Sequence, residues 1–302
     1  MTLLCRISSA LLFSAAMPRA QVKPTIAIVG AGRLGSALAH ELNDAGYQIR
    51  EIVSRENETS RRRAGKLAES LGVRQSEMKS AVLDADLIWF CVPDGQIVIA
   101  ARALAKQTQW KGKIAFHSSG ALASDELKVL RKRSASVAAV HPLMTFVHSA
   151  APSLRGVPFT VEGDASANQA ARRVVRDLCG DSFTIQKKDK LAYHAWGAFA
   201  SPLLIAALVA AEEVAGVAGI PASLARKRML PIITQTLANY AAFGPDAAFS
   251  GPIVRGDVET VRQHLKVLKK MPDAKEVYVA LARIAIKHLP AGNKKKLSRL
   301  LR

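Results

Sequence analysis

The first half of the chain alternates short apolar runs with amphipathic stretches. The apolar runs are rich in β-branched and aromatic residues, and the stretches between them have helical periodicity. Strands separated by helices predict a parallel, doubly wound α/β sheet, which binds ligands at the carboxyl ends of its strands. The main predicted strands cover residues 25–29, 48–53, 87–92, 113–117, 137–140 and 159–161.

The second half has a helical pattern from Asp189 to its end. No Lys, Arg, Asp or Glu lies between Lys190 and Glu212, and about 20 such residues would be enough to span a membrane. Ala and Gly dominate this run, and His194 and Pro202 interrupt it, so we favour a helix buried in a bundle or dimer core over a membrane span. The sequence thus predicts an all-helical C-terminal domain, in which Asp257 is the expected N-cap of the helix that follows it.

Chain length agrees with two domains, because 302 residues exceed the usual size of one. We predict an N-terminal extension over residues 1–22, a Rossmann-like domain over 23–165 and a helical domain over 166–302. The extension carries an apolar stretch, Ala10–Ala16, behind Arg6, as a secretory signal would. A native start at Met17 is the alternative, and we favour it.

Three widely separated cysteines provide neither a disulfide framework nor a CxxC metal site. This usage fits a reducing compartment. We therefore expect a cytoplasmic protein, and we predict no metal site.

A glycine-rich turn follows the first predicted strand, residues 25–29, and leads directly into a helical pattern. In the order strand, GxGxxG, helix, Gly30 makes a tight turn, Gly32 lets the backbone approach a pyrophosphate, and Gly35 lets the helix pack on the strand. The helix N-terminus then offers N–H groups to the anion. The cofactor-binding residues predicted from this motif are Gly30, Gly32, Arg33, Leu34 and Gly35.

The end of the second strand indicates which dinucleotide is bound. An NAD enzyme places an acidic side chain there for the ribose diol, whereas this chain has Ser54 and Arg55, with arginines at 61–63. A hydroxyl and guanidinium groups suit a 2′-phosphate, so we predict NADP(H). Val92 and Pro93, at the end of a neighbouring strand, complete the predicted cofactor site.

Net charge is the unusual feature of the composition. Lys and Arg number 43 against 24 Asp and Glu, giving +19, which suggests nucleic acid, an anionic membrane or anionic small molecules as partners. Aromatic residues make up only 5%, too few for a base-stacking platform. We predict a small anionic substrate and no specific nucleic acid or membrane partner. The basic run from Lys294 to Arg302 is typical of a solvated helix face.

Polar residues follow the later strands, where a substrate would lie. Ser118, Ser119 and Gly120 can offer hydroxyl and backbone N–H groups to a substrate oxygen, although a plain turn with a serine cap would have the same sequence. His141 either lines the cleft or bonds the backbone. His117 is expected to pack at its strand end.

Two residues in the long apolar helix are candidate proton donors. Lys190 and His194 are four apart and so share a helix face, and either could protonate a substrate, with Ser119 as a third catalytic candidate. The alternatives are that His194 is a core histidine whose hydrogen bonds are satisfied and that Lys190 is a surface lysine. Arg255 could clamp a carboxylate or form a structural salt bridge.

Taken together, several segments resemble the two-domain family that pairs a Rossmann-like domain with domain of unknown function 2520, within the 6-phosphogluconate dehydrogenase and pyrroline-5-carboxylate reductase-like group. The resemblance implies a nicotinamide-cofactor oxidoreductase fold and a homodimer formed through the helical domain. Tyr193 and His194 match a Tyr-His pair of the family, whereas Pro202 stands where many relatives have Asn. The matching segments are IAIVGAGRLGSALA, DADLIWFCVPDGQI, FHSSGAL, HPLMTF, KLAYHAWGAFASPLLIAAL and SGPIVRGDVETVRQHL.

These observations predict an NADPH-dependent reductase of a C=O or C=N bond in a small anionic keto or imino acid. In this hypothesis His194 or Lys190 is the acid, and Ser118 and Ser119 position the substrate. Two other classes stay open: a non-catalytic NADP-binding sensor or scaffold, which the missing Asn at Pro202 favours, and a basic nucleic-acid-binding protein, which only the charge favours.

Overall fold

A computed structural model describes residues 22–147 and 152–302. The predictions made for residues 1–21 lie outside the described part. The chain divides after Ala195 into two compact units, and each has its own architecture.

An eight-stranded sheet forms the centre of the first unit. Its strand order is β3-β2-β1-β4-β5-β6-β7-β8, and every neighbouring pair is parallel except β6 and β7, which are antiparallel. This arrangement confirms the predicted doubly wound α/β fold. The strands are β1 (Ile26–Val29), β2 (Ile49–Ser54), β3 (Arg74–Glu77), β4 (Leu87–Phe90), β5 (Ile114–His117), β6 (Ser136–Pro142), β7 (Pro158–Gly163) and β8 (Asp181–Thr184).

Helices cover both faces of this sheet, which explains why its central strands are continuous apolar runs. In β1, Ile26 and Ile28 face one apolar core, while Ala27 and Val29 face a second core on the other side. The helices of this unit are α1 (Arg33–Asp44), α2 (Glu58–Leu71), α3 (Asp94–Leu104), α4 (Lys128–Arg131) and α5 (Ala165–Asp177), and α6 (Lys190–Ala200) begins in it.

The second unit consists of helices around a small apolar core. Its buried members include Val261, Ala282, Ile286, Leu297 and Leu301. The helices are α7 (Pro202–Val217), α8 (Ala222–Ala248), α9 (Pro252–Arg255), α10 (Val258–Leu268), α11 (Pro272–His288) and α12 (Lys294–Leu300).

Three details of the second half differ from the sequence analysis. The long apolar run is two helices, because Ser201 leaves helical geometry and Pro202 starts α7. Within this chain α7 buries only Glu212, so the run is largely exposed rather than enclosed in a bundle. Asp257 stands at the start of α10, but its carboxylate pairs with Arg255 instead of capping the helix.

Packing also places the division between the units later than residue 165. Strand β8 pairs with β7, and α5 packs on β6 and β7, so both belong to the first unit. The start of α6 stays with that unit as well, which brings Lys190 and His194 into the same compact body as the glycine-rich turn.

Candidate functional site

The glycine-rich turn has the geometry that a dinucleotide requires. Gly30 has a φ of +104°, and a Cβ there would lie 2.6 Å from the carbonyl oxygen of Cys91. A Cβ on Gly35 would lie 1.9 Å from the oxygen of Gly30, so α1 can approach β1 only without a side chain there. Gly32 faces open space within 4 Å and stands at the start of α1 without a side-chain cap. The backbone here is therefore open to a pyrophosphate.

A cavity of about 140 Å³ continues from this turn to the end of β2. Gly30, Gly32, Val92 and Pro93 line it, as the sequence predicts for a cofactor site. Arg33 and Leu34 form the first turn of α1. The residues of the motif are thus gathered where a dinucleotide would bind, and the cradle fits its diphosphate.

The end of β2 offers guanidinium groups to this cavity. Arg55 and Arg63 are exposed and line it together with Ser60, whereas Arg61 points elsewhere and pairs with Glu77 at 2.6 Å. Arg63 also lines the adjoining groove between α1 and α2. Sequence reasoning named the arginine cluster but could not tell which of its members face the cavity.

Ser54 has a different environment from the one expected. Its side chain is only 2% exposed, and its hydroxyl donates to the carbonyl oxygen of Ser76 at 3.4 Å. Because β3 pairs with β2 at this point, the neighbouring strand covers the hydroxyl. Both residues of the predicted pair line the cavity, and Arg55 is the one whose side chain is exposed.

The loop after β5 carries Ser118, Ser119 and Gly120. Ser118 Oγ accepts a hydrogen bond from Trp89 Nε1 at 2.7 Å. Ser119 is buried, and its Oγ accepts from the backbone N–H groups of Ala121 and Leu122 at 3.2 and 2.9 Å. Both hydroxyls therefore hold the loop through their oxygens, and the Ser118 hydroxyl also forms a hydrogen bond with the Cys91 thiol.

Two buried side chains hold the Ser119 peptide from opposite ends. The Ser119 N–H donates to His117 Nδ1 at 3.1 Å, and Lys190 Nζ donates to the Ser119 carbonyl oxygen at 3.2 Å. His117 Nε2 lies 2.9 Å from the carbonyl oxygen of Ala123, which makes this nitrogen the protonated one. Lys190 is only 1% exposed, because α6 presses it beneath the loop.

Two imidazole rings approach Gly120, and a third aromatic ring, that of Tyr193, contacts one of them. A Cβ on this glycine would lie 2.9 Å from His194 Cδ2 and 3.0 Å from His141 Nε2, so both imidazoles reach the loop because residue 120 has no side chain. His141 Nδ1 and Tyr193 Oη are 2.8 Å apart, and the His141 and His194 ring centroids are 6.5 Å apart. Of these rings, His194 is exposed while Tyr193 is buried.

Burial sets the charge state of this cluster. It lowers the pKa of His117 and of His141 to about 4, and the positive charge of Lys190 acts in the same direction. It also lowers the pKa of Lys190, against the opposing influence of Glu162 and Asp94, and raises the pKa of Tyr193. At neutral pH both buried histidines are uncharged.

The structure places all of the predicted site residues in the first unit except Arg255. Arg255 belongs to the second unit, where its Nε pairs with Asp257 Oδ2 at 2.8 Å. Sequence reasoning missed the contacts of His117 and Trp89 with the loop. Both stand at or near strand ends beside the serines, and that position was the only available signal.

Two family models match the chain in tandem. Residues 14–142 match the Rossmann-like domain, and residues 157–285 match domain of unknown function 2520. No curated protein matches the chain in sequence.

Solved structures with the same fold have low sequence identity to the chain. A protein from Bacteroides fragilis described as a candidate NADP oxidoreductase is 20% identical, with a TM-score of 0.72 over 86% of this chain and 97% of its own. A protein from Thermotoga maritima is 21% identical, with a TM-score of 0.70 over 92% and 100%. An imine reductase from Myxococcus stipitatus in complex with NADP⁺ is 18% identical, with a TM-score of 0.64 over 92% and 100%.

These likenesses extend across both units and agree with the fold described above. The order of the two family matches is the one that the motifs predicted. The chain therefore carries the domain pair of the family that joins a Rossmann-like domain to domain of unknown function 2520.

Proposed function

We propose that the chain is an NADPH-dependent oxidoreductase that reduces a C=O or C=N bond in a small anionic keto or imino acid. One observation carries the proposal: His141, His194 and Lys190 converge on the loop at residues 118–120, and Tyr193 contacts His141. This loop follows β5, and β4 alone separates β5 from β1 and its glycine-rich turn. Proton-transfer groups and a dinucleotide cradle therefore share one edge of the sheet.

The choice of NADPH is based on charge at the end of β2. Arg55 and Arg63 line the cavity, and no acidic side chain of the described residues lines it. A carboxylate at this place would bind the ribose diol of NAD, whereas guanidinium groups favour a 2′-phosphate. The imine reductase complex with NADP⁺ among the similar folds supports the same cofactor.

NADPH, when bound, supplies the hydride for the reduction. The protein must then give a proton to the substrate oxygen or nitrogen, and His194 is placed for this because its ring is exposed beside Gly120. In this proposal neutral His141 accepts a hydrogen bond from the Tyr193 hydroxyl at Nδ1, which leaves the imidazole proton on Nε2, beside Gly120, as a hydrogen-bond donor. The two imidazoles would together bind and protonate the substrate heteroatom.

Lys190 has a positioning task in this proposal. Its ammonium is buried and donates to the Ser119 carbonyl oxygen, which fixes the loop that carries the Ser118 hydroxyl. Its positive charge also attracts an anionic substrate to the cluster. Of the two candidate acids, His194 is exposed to solvent whereas Lys190 is buried.

The similar folds favour an imine or carbonyl as the reducible group. They include imine reductases and a reductive aminase from Aspergillus terreus in complex with NADPH. The planar carbon of a C=N or C=O bond accepts a hydride, and its heteroatom needs one proton. The exposed imidazole of His194 can supply that proton.

A homodimer is part of the proposal. The helical unit leaves large apolar side chains in solvent, including Phe199, Ile232 and Phe243, which are 70%, 68% and 69% exposed. An apolar groove of about 430 Å³ between α7, α10 and α11 adds to this surface. Single soluble chains rarely leave so much apolar surface uncovered, so a second copy is the expected cover.

A membrane is the competing explanation for part of that surface. The stretch Lys187–Val217 is long and apolar enough to cross a bilayer by length and composition. The break at Ser201 interrupts this stretch, and Glu212, which lies within it, forms an ion pair with Arg226 of α8. Both features favour association between copies over insertion into lipid.

The test is a fluorescence titration with NADPH and with NADH, followed by a screen of 2-keto acids and cyclic imines for loss of NADPH absorbance. We expect tighter binding of NADPH and turnover of at least one anionic substrate. Absence of NADPH binding would overturn the proposal. Binding without turnover of any tested substrate would favour the non-catalytic sensor.

A further inference from the structure

The second unit contains a basic cavity that the proposed reaction does not use. It has a volume of about 710 Å³ and lies between α10, α11 and the end of α12. Glu276 is the one acidic residue that lines it. The basic residues that line it are Arg262, Lys266, Lys269, Lys275, Arg283 and Arg302.

Five of these six basic residues form no ion pair with a described Asp or Glu side chain. Arg262 pairs with Glu259, and Arg283 donates to the carbonyl oxygens of Leu301 and Arg302. Lys266, Lys269 and Lys275 form no ion pair with any described carboxylate. Positive charges that line one cavity repel one another, so a bound anion would remove a repulsion that destabilises the free protein.

A helix end adds a further positive potential. Helix α11 is 17 residues long and begins at Pro272, and its N-cap residue, Met271, provides no side-chain cap. Pro272, Lys275 and Glu276 from its first two turns line the cavity, so the positive end of the helix dipole faces it. Backbone and side chains therefore favour the same sign of ligand.

The walls of the cavity combine charge with apolar surface and a fixed shape. Leu265, Val279, Leu300 and Leu301 line it between the basic groups. Arg283 ties the chain at Leu301 to α11 through its Nε at 2.9 Å. Leu297 and Leu301 are buried in the core of the unit, which anchors α12 as the third wall.

From these features we propose that this cavity binds a small polyanion, an oligophosphate ester with an apolar or planar part. Several lysine point charges around one space suit adjacent phosphate groups, since one carboxylate could neutralise only one of them. The volume lies in the range of about 300–1,000 Å³ that is typical of small-molecule sites. A nucleic acid backbone would instead use an extended basic track. The site would also account for part of the charge that the cofactor cannot explain.

The experiment compares two variants with equal loss of charge. K266Q/K269Q/K275Q removes the three unpaired lysines that line the cavity. K294Q/K295Q/K296Q removes three lysines of α12 that do not line it. Inorganic tripolyphosphate is titrated into each protein by calorimetry at physiological ionic strength, and circular dichroism verifies that both variants are folded.

We expect wild type and K294Q/K295Q/K296Q to bind tripolyphosphate alike and K266Q/K269Q/K275Q to bind it at least about tenfold more weakly. Any binding of the probe at the glycine-rich turn is common to all three proteins and leaves this comparison unchanged. Equal weakening in both variants would show diffuse attraction and overturn the site, as would absence of binding to wild type. A short DNA duplex that binds more tightly through the same lysines would overturn the small-ligand proposal in favour of nucleic acid.

Discussion

His194 is the residue on which the proposed chemistry depends most directly. We expect His194→Gln to keep NADPH affinity and to lower turnover by about 10²–10⁴-fold, the usual effect of removing a general acid. His264→Gln is a matched control, because His264 is also an exposed histidine on a helix, and it lies in the second unit. Steady-state kinetics on the substrate found by the screen measure both. Unchanged turnover in His194→Gln would exclude His194 from the mechanism.

His117 provides a residue-scale prediction about pH. Its pKa of about 4 in the folded chain lies below the ordinary value of 6.5, so the unfolded chain binds the proton more readily. The neutral histidine therefore makes its full contribution to the free energy of unfolding above pH 6.5. This contribution falls as the pH drops towards 4, by on the order of 1 kcal/mol per pH unit for each such histidine. His141 adds an effect of the same sign.

His117→Gln separates these two contributions. The amide can still donate to the Ala123 carbonyl oxygen, but it does not titrate. Urea unfolding between pH 5 and 7.5 should show a pH slope roughly half as steep as that of wild type. An unaltered slope would mean that His117 does not titrate with unfolding.

At the residue scale, the sequence revealed those features whose physical cause lies within a few residues along the chain. The task of Gly35 is set by the backbone of Gly30 inside one motif, and the structure shows that contact. The hydrogen bond of Lys190 to Ser119 joins residues 71 positions apart, and no pattern along the chain encodes such a distance. For the same reason the burial of Ser54 could not be predicted, since it depends on the pairing of β3.

At the scale of elements, we expect the turn after β2 and the start of α2 to determine which cofactor is bound. We expect R55A/R63A to weaken NADPH binding by about 10–100-fold and to leave NADH binding almost unchanged, because charged hydrogen bonds to the 2′-phosphate are lost. Arg61→Ala is the matched control, since that guanidinium pairs with Glu77. Fluorescence titration of both cofactors provides the measurement. Equal weakening of NADPH and NADH would contradict a 2′-phosphate site.

Elements with a strong pattern could be predicted, and those without one could not. The central strands are buried on both faces, so their apolar runs are continuous and visible in the sequence. Strand β3 reads Arg-Gln-Ser-Glu, has no such run, and forms only because β2 offers it an edge. The division of the apolar run at Ser201 depends on one backbone geometry that composition does not show.

At the scale of the whole molecule, the exposed apolar surface of the helical unit predicts association. We expect wild type to be a dimer by size-exclusion chromatography with light scattering, and I232E/F243E to be largely monomeric, because each glutamate would have to lose its hydration in the interface. Ile99→Glu is the control, as Ile99 is also exposed, at 55%, but belongs to the first unit. A monomeric wild type would refute the dimer. Recovery of the chain only with detergent would favour a membrane.

Gly120 has a consequence that reaches beyond this chain. Any side chain at this position would meet the rings of both His141 and His194 at about 3 Å. A related sequence with another residue here must therefore have moved or replaced at least one imidazole, whereas a sequence that retains both histidines should retain glycine. The three positions form a test that can be applied to any uncharacterised relative by reading its sequence. They would separate chains that share this chemistry from those that share only the fold.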